Sequence, residues 1–267
     1  MKTMATHIRA FLIDMDGVLY EGERAIPGAA EALDWLRREG LPYLFVTNTS
    51  SRPRSMLVEK LAGLGIAAEP GQILTPPVAA AGWLAAHVEG PIALFVAEGT
   101  VSDFAELPLA DPQGEAPVGA VVIGDLGEGW SFARLNRAFR CLMRSNESRL
   151  VALGMTRYWK AEDGLRLDTG PFVAALEQAT GRSAVVLGKP AAPFFETALS
   201  VLGVGADETC MIGDDLRGDI GGAQGAGMRA LLVRTGKFQP SDLGQPIRPT
   251  AVIDSFADLP TWFAASR

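Results

Sequence analysis

"FLIDMDGVLY", residues 11–20, decides the fold, because it joins an uninterrupted apolar run to two carboxylates. The segment "AFLIDM" predicts a buried strand, and Asp14 and Asp16 lie at its carboxyl end. An unpaired buried charge is costly, so the two acids need partners at that position. The stretch therefore predicts a strand that delivers charged groups to a functional site.

Outside this stretch, apolar runs alternate with helix-like segments along most of the chain, which is typical of a parallel sheet covered by helices. Residues 27–40 begin with proline, carry apolar residues at helical spacing and stop at glycine, so they predict a helix. The predicted fold class is α/β, with a Rossmann-like doubly wound parallel sheet as its core.

The middle of the chain has strands and helices of its own and is too long for a loop. We predict a second α/β domain at residues 76–184, inserted into a discontinuous core of residues 1–75 and 185–267. The predicted crossings lie near Thr75–Pro77 and Arg182–Val185.

Composition narrows the class of protein. The 267 residues are 48% hydrophobic and 21% charged, as in globular proteins of one large or two modest domains. No apolar run reaches the ~18 residues of a membrane span, and the first residues lack a secretion signal, so we expect a cytoplasmic protein. The net charge of −7 argues against general nucleic-acid binding.

Cysteine and histidine usage limits the chemistry further. Cys141 and Cys210 lie in different predicted elements, so free thiols are expected rather than a disulfide. His7 and His87 are the only histidines, which argues against a histidine-rich zinc site. Any bound metal is therefore expected among oxygen ligands.

Polar residues end four of the predicted core strands. In open parallel sheets ligands bind beyond the carboxyl ends of the strands, so these residues are expected to converge on one site. The alternative is that each is only a turn or cap residue, since Asp, Asn and Thr favour such positions. The residues are Asp14 and Asp16, Thr47 and Asn48, Lys189, and Asp214 and Asp215.

This mixture of residues suggests phosphoryl transfer. A phosphate ester repels an anionic nucleophile, so the site needs a metal, fixed donors and an in-line nucleophile. Clustered carboxylates without histidines suit Mg²⁺. Lys189 supplies a positive charge, and Thr47 and Asn48 are candidates for holding phosphoryl oxygens.

The segments "DMDGVL", "VTNTS", "GKP" and "GDDLRGD" resemble, in this order, the four motifs of the haloacid dehalogenase superfamily of phosphohydrolases. The resemblance implies that Asp14 is the nucleophile that becomes phosphorylated and that Asp16 is the general acid and base. It further implies roles for the other motif residues: Thr47 in phosphate binding, Lys189 as the third-motif lysine, Asp214 as an Mg²⁺ ligand with Asp14 and the Asp16 carbonyl, and Asp215 and Asp219 as supporting acids.

The inserted domain resembles the cap of subfamily IIA, the branch with nitrophenylphosphatase-like members. Within it the chain is most similar to the phospholysine phosphohistidine inorganic pyrophosphate phosphatase group, in residues 156–181 and 211–238. Vertebrate members of that group often carry Ser or Asn at the position of Asp16, so their substrates do not transfer directly. The resemblance implies a small phosphorylated substrate, and caps of this branch often pair into homodimers.

Two other functions compete with that of a phosphatase. A catalytically weak regulatory or phosphate-binding protein would be expected to have lost a nucleophile or a metal ligand, and none is missing. Hydrolytic dehalogenation needs neither Mg²⁺ nor a second aspartate, so Asp16 and the acidic fourth motif argue against it. A nucleotide site at "GAGMRA", residues 225–230, is disfavoured because the segment leads from a helix into a strand.

Substrate selectivity is expected in "TRYWK", residues 156–160, because the core residues contact only the phosphoryl unit that all candidate substrates share. Strand alternation would place Tyr158 with Lys160 toward the substrate and Trp159 in the cap interior. The alternative is a solvated hairpin tip packed by Tyr158 and Trp159.

Overall fold

The computed structural model describes residues 8–161 and 163–266, without the side chains of residues 160 and 161. The chain forms two compact units. The first comprises the chain up to Thr47, Arg54–Leu74 and the chain from Lys189 onward. The second comprises Asn48–Pro53 and Thr75–Gly188. No helix in the described ranges is both long and apolar enough to cross a membrane.

Strands and helices alternate along the chain. The strands are β1 (Ala10–Asp14), β2 (Tyr20–Glu21), β3 (Arg24–Ala25), β4 (Tyr43–Val46), β5 (Ile73–Leu74), β6 (Ile92–Phe95), β7 (Ala120–Ile123), β8 (Arg149–Ala152), β9 (Tyr158–Ala161), β10 (Gly164–Leu167), β11 (Val185–Val186), β12 (Thr209–Gly213), β13 (Arg229–Val233) and β14 (Ala251–Ile253). The α-helices are α1 (Ala29–Arg38), α2 (Arg54–Gly63), α3 (Pro76–His87), α4 (Phe132–Met143), α5 (Thr169–Thr180), α6 (Ala192–Leu202), α7 (Gly222–Gly225) and α8 (Leu259–Ala265).

The first unit is built on a six-stranded parallel sheet in the order β14-β13-β12-β1-β4-β5. Every residue of β1 is buried, as its apolar run predicts. β1 pairs with β4 on one side and β12 on the other, with Asp14 opposite Val46. Because the strands are parallel, the residues that follow β1, β4 and β12 meet at one edge of the sheet.

Helix α1 shows how the sequence covers this sheet. Its buried residues, Ala29, Ala32, Leu33 and Leu36, recur at helical spacing and form one apolar face. The backbone after the helix turns at Gly40 with a φ of 66°, a left-handed conformation that glycine adopts without strain. The helix predicted within residues 27–40 is therefore confirmed.

The second unit has its own four-stranded parallel sheet, in the order β11-β8-β7-β6. Helices α4 and α5 pack on it through a separate apolar core that includes Val121, Leu142, Leu150, Val173 and Leu176. Each parallel sheet is thus flanked by helices, and the predicted α/β fold class is confirmed.

One strand lies in a different sheet from the one expected. The sequence predicts a core strand within residues 183–190, but β11 pairs with β8 in the second unit, with Val185 opposite Val151. The apolar pair Val185–Val186 completes the edge of that sheet, and the chain passes to the first unit only at Lys189.

Candidate active site

Asp14, the last residue of β1, is the centre of a buried group of charges in the first unit. Its Oδ1 accepts a hydrogen bond from Lys189 Nζ at 2.6 Å. Burial raises the pKa of Asp14, and the charge of Lys189 opposes that shift. The carboxylate therefore depends on one lysine that lies 175 residues further along the chain.

Lys189 bridges two carboxylates. Its Nζ also lies 2.6 Å from Asp219 Oδ1, and all three side chains are almost fully buried. Burial alone would lower the pKa of this lysine, but Asp14 and Asp219 together raise it. Lys189 is consequently a fixed positive charge between two acids.

Asp214 follows β12, and only one of its two carboxylate oxygens accepts a hydrogen bond from the described residues. Its Oδ2 accepts a hydrogen bond from Lys237 N–H at 2.7 Å. Its Oδ1 is buried and has no hydrogen-bond partner among the described residues. Burial, together with Asp219, raises the pKa of Asp214 to about 6, against the hydrogen bond from Lys237. A buried carboxylate oxygen without a hydrogen-bond partner is suited to binding a ligand.

Asp14, Asp214 and Asp219 together form the acid cluster. One carboxylate oxygen from each lies within 4.8 Å of the others. Burial also raises the pKa of Asp219 to about 6, with Asp14 adding to the shift and Lys189 opposing it. Three carboxylates against one buried ammonium leave surplus negative charge. An all-oxygen donor set with surplus charge and a free oxygen fits a hard divalent cation such as Mg²⁺.

Asp215 shapes the loop that presents two of these acids. Its side chain accepts hydrogen bonds from Arg217 N–H at 3.0 Å and Gly218 N–H at 2.8 Å, which caps a π-helical turn over Leu216–Gly221. Its own N–H donates to Asp219 Oδ2 at 3.1 Å. These contacts are those of a supporting residue, because they hold Asp219 rather than enter the acid cluster.

Three further residues predicted for the site, Thr47, Asp16 and Asn48, differ in their exposure to solvent. Thr47 directly follows β4, is buried, and donates its N–H to the carbonyl of Leu74 at 3.2 Å. Asp16 is exposed just beyond Asp14. Asn48 is exposed and belongs to the second unit. The first unit thus brings together Asp14, Lys189, Asp214 and Asp219, with Asp215 behind them.

Two family models match the sequence. Residues 11–109 match haloacid dehalogenase-like hydrolase, and residues 186–259 match a model described as HAD-hydrolase-like. The chain belongs to the haloacid dehalogenase-like hydrolase family. The resemblance inferred from the four motifs is therefore confirmed.

Curated relatives and solved structures extend this assignment. The chain is 43% identical over 256 residues to phospholysine phosphohistidine inorganic pyrophosphate phosphatase of Bos taurus, covering 94% of this chain and 92% of that one. It is 42% identical over 241 residues to haloacid dehalogenase-like hydrolase domain-containing protein 2 of Bos taurus, covering 90% of each. The structure of a p-nitrophenyl phosphatase from Archaeoglobus fulgidus matches with a TM-score of 0.85 and 29% identity, over 97% of this chain and 99% of that one. The expectation of a hydrolase of the phosphatase type is confirmed.

The hairpin β9–β10 of this family member differs from the prediction at Trp159. That residue is 45% exposed and Tyr158 is 52% exposed, so the expectation that Trp159 is buried is wrong. β9 pairs with β10 in a separate two-stranded sheet, and all four residues of β10 are exposed as well. The Lys160 backbone pairs with Leu165, and its side chain lies outside the described part of the structure.

Sequence reasoning missed the residues that surround Asp214. A Cβ on Gly17 would lie 2.0 Å from Asp214 Oδ2, and one on Gly236 would lie 2.1 Å from the same atom. Both glycines have positive φ, 86° and 66°. The available signal was that Gly17 directly follows the first pair of acids and that "TGK", residues 235–237, begins two residues after the last residue of a strand.

Proposed function

We propose that this protein is an Mg²⁺-dependent phosphatase that hydrolyses a small phosphorylated metabolite through a phosphoaspartate on Asp14. The observation that carries the proposal is the buried Asp14 carboxylate, held by Lys189 at 2.6 Å beside the unpartnered oxygen of Asp214. A carboxylate fixed at a metal-competent cluster is suited to nucleophilic attack on phosphorus.

The residues that would hold Mg²⁺ are Asp14, Asp214 and the carbonyl of Asp16, with Asp219 completing the acid cluster. When bound, Mg²⁺ supplies positive charge that reduces the repulsion between the phosphoryl oxygens and the anionic nucleophile. Thr47 and Asn48 would donate to the phosphoryl oxygens. Lys189 keeps Asp14 in place and adds a second fixed positive charge.

In the first step an oxygen of the Asp14 carboxylate forms a bond to phosphorus while the bond from phosphorus to the leaving-group oxygen breaks. Asp16, as the carboxylic acid, donates its proton to that leaving oxygen. In the second step Asp16, now a carboxylate, takes a proton from water, whose oxygen attacks phosphorus. The bond between phosphorus and Asp14 breaks, which releases inorganic phosphate and restores the carboxylate. Asp16 lies two residues after Asp14 and is exposed, so its carboxyl group is accessible to water and to a bound substrate.

Selectivity for the leaving group is assigned to the hairpin β9–β10 as a cap element. Tyr158 supplies an exposed aromatic ring, and the Arg157 guanidinium carbon lies 5.9 Å from its centroid. Tyr158 and Lys160 are the proposed selecting pair. The substrates in the names of the relatives belong to those proteins, and Asp16 argues for a general phosphomonoester here. A cytoplasmic location and a homodimer through the cap are part of this proposal.

The test is phosphate release from p-nitrophenyl phosphate, with Mg²⁺ or with EDTA. Asp14→Asn removes the nucleophile, so the rate is expected to fall by ~10⁴-fold. Asp34→Asn is the matched control, because Asp34 is an exposed acid on α1 that contacts Arg37 at 2.7 Å. An Asp14→Asn enzyme with a tenth of the wild-type rate would exclude the mechanism. Phosphate binding without turnover by the wild type would favour the regulatory alternative.

A further inference from the structure

The loop of residues 234–238, which follows β13, holds the Asp214 carboxylate from one side. Lys237 N–H donates to Asp214 Oδ2, and the buried Oδ1 has no hydrogen-bond partner in the described ranges. The position of this loop therefore determines which oxygen of Asp214 is left for a ligand.

One side chain and one backbone carbonyl from the region after β1 anchor the 234–238 loop. Gly236 N–H donates to Glu21 Oε1 at 2.7 Å, and the Thr235 hydroxyl donates to the carbonyl of Gly17. Hydrogen bonds to a carboxylate are stronger than those between neutral groups. Glu21 is exposed and lies on β2, outside the acid cluster. Its contact with Gly236 comes one residue before the N–H that holds Asp214.

The packing leaves this loop little freedom to move alone. A Cβ on Gly236 would lie 2.5 Å from Gly17 Cα as well as 2.1 Å from Asp214 Oδ2. Real Cβ contacts are longer, so the three groups are already at the limit of close approach. A shift of the loop must therefore displace the Asp214 carboxylate or break its bond to Lys237.

We propose that Glu21 and Thr235 are positioning residues for the Asp214 carboxylate, acting through the 234–238 loop. The proposal rests on the proposed function, in which Asp214 binds Mg²⁺. Residues that orient a metal ligand typically contribute 10–100-fold to metal affinity. Loss of the Glu21 contact would leave Asp214 present but poorly oriented.

The experiment is calorimetric titration of the EDTA-treated full-length protein with MgCl₂ alone, supported by the Mg²⁺-induced change in Tm. Glu21→Ala is expected to weaken Mg²⁺ binding by ~10-fold. Glu21→Gln keeps an acceptor oxygen for Gly236 N–H and is expected to weaken Mg²⁺ binding less than Glu21→Ala does. Glu23→Ala is the matched control: Glu23 lies between β2 and β3, and its carboxylate pairs with Lys60 Nζ at 3.4 Å instead. It is expected to bind as wild type.

Wild-type affinity in Glu21→Ala would overturn the proposal. An equal loss of Mg²⁺ affinity in Glu21→Gln and Glu21→Ala would also overturn it. That result would show that the negative charge of Glu21 matters and its hydrogen bond to Gly236 does not. If Glu21→Ala does not fold, Thr235→Val and Thr235→Ser decide, since only the second keeps the hydroxyl donor to Gly17. Weaker Mg²⁺ binding by Thr235→Val than by Thr235→Ser supports the proposal. Equal Mg²⁺ affinity of the two variants refutes it. Absence of Mg²⁺ binding in the wild type would instead refute the proposed function itself.

Discussion

Asp214 is the residue at which function and stability oppose each other. Folding buries its carboxylate and leaves Oδ1 without a partner among the described residues, which raises its pKa from 3.8 to about 6. Between these two values the folded protein binds more protons than the unfolded chain, so the unfolding free energy falls as pH rises through this window. Near neutral pH the ionised carboxylate therefore destabilises the metal-free protein.

Asp214→Asn is thus expected to raise the Tm of EDTA-treated protein at pH 7.5, by an amount corresponding to on the order of 1–3 kcal/mol. Asparagine removes the buried charge and keeps an acceptor for Lys237 N–H. The variant should also lack the Mg²⁺-induced increase in Tm that is expected of the wild-type protein. Scanning calorimetry with and without MgCl₂ measures both effects. A lower Tm without metal, or an unchanged response to Mg²⁺, would contradict this account.

At this scale the sequence indicated that the acids after β1 and β12 lie close together, because the carboxyl ends of parallel strands converge. Lys189 follows β11, which belongs to the other sheet, so that rule does not account for its position. The bridge from Lys189 to both Asp14 and Asp219 was not predictable, since it depends on side-chain positions across 175 and 30 residues. Glu21 gave no signal at all, because its role depends on a contact with Gly236, 215 residues further along the chain.

Among the structural elements, the turn after β1 depends on Gly17. Its φ is 86°, and an added Cβ would collide with Asp214 Oδ2 at 2.0 Å. Gly65 is the matched control, because its φ is 78° but a Cβ there would meet no atom within 4 Å. Gly65→Ala is expected to lose about 1–2 kcal/mol of unfolding free energy through backbone strain alone.

Gly17→Ala is expected to lose about 1–3 kcal/mol more than the control, because it adds overpacking to the same strain. It should also weaken Mg²⁺ binding, since the displaced atom belongs to a proposed ligand. Urea unfolding of both variants gives the difference in unfolding free energy. Equal losses at the two glycines would show that the contact with Asp214 relaxes without cost.

The hairpin β9–β10 carries the prediction about selectivity. Simultaneous replacement of Tyr158 and Lys160 by Ala is expected to change the ranking of phosphorylated metabolites, while hydrolysis of p-nitrophenyl phosphate stays close to wild type. Leu165→Ala is a useful control, because Leu165 is 71% exposed on the neighbouring strand. Steady-state kcat/KM across a substrate panel is the measurement. A ranking that does not change would assign selectivity to another segment.

Elements with strong periodicity were predictable, and those shaped by local contacts were not. Helix α1 follows from its apolar spacing and its bounding glycines. The segment after Asp215 instead begins as a π-helical turn over Leu216–Gly221, in which the Arg217 and Gly218 N–H groups donate to the Asp215 side chain. Trp159 was misplaced because alternation along a strand does not tell which faces another layer will cover.

At the scale of the whole molecule, the second unit has its own sheet and its own apolar core. A fragment of residues 75–188 is therefore expected to fold by itself, since a domain needs only its own core. Its circular dichroism should show helix and strand, and its thermal unfolding should be cooperative. Its Tm should not respond to Mg²⁺, because the acid cluster lies in the first unit. An unfolded fragment would show that the unit depends on the rest of the chain.

The sequence predicted an insertion from the amount of structure between two core segments, but it misplaced the second crossing. β11 consists of only two valines, and two apolar residues fit the interior of either sheet. Its sheet could therefore not be inferred without its partner β8. Pairing decides which sheet a short valine pair joins, and pairing is a property of the folded chain.

The strand order has a consequence for synthesis on the ribosome. β1 emerges before the second unit, yet its neighbour β12 begins only at Thr209, after the whole of Thr75–Gly188 has been translated. Since domains generally fold as units while the chain emerges, the second unit is expected to be complete while β1 still has one open side. Until Lys189 is translated, Asp14 lacks the lysine that later balances it. Until β12 pairs with β1, the nascent chain has an exposed strand edge for chaperones to protect.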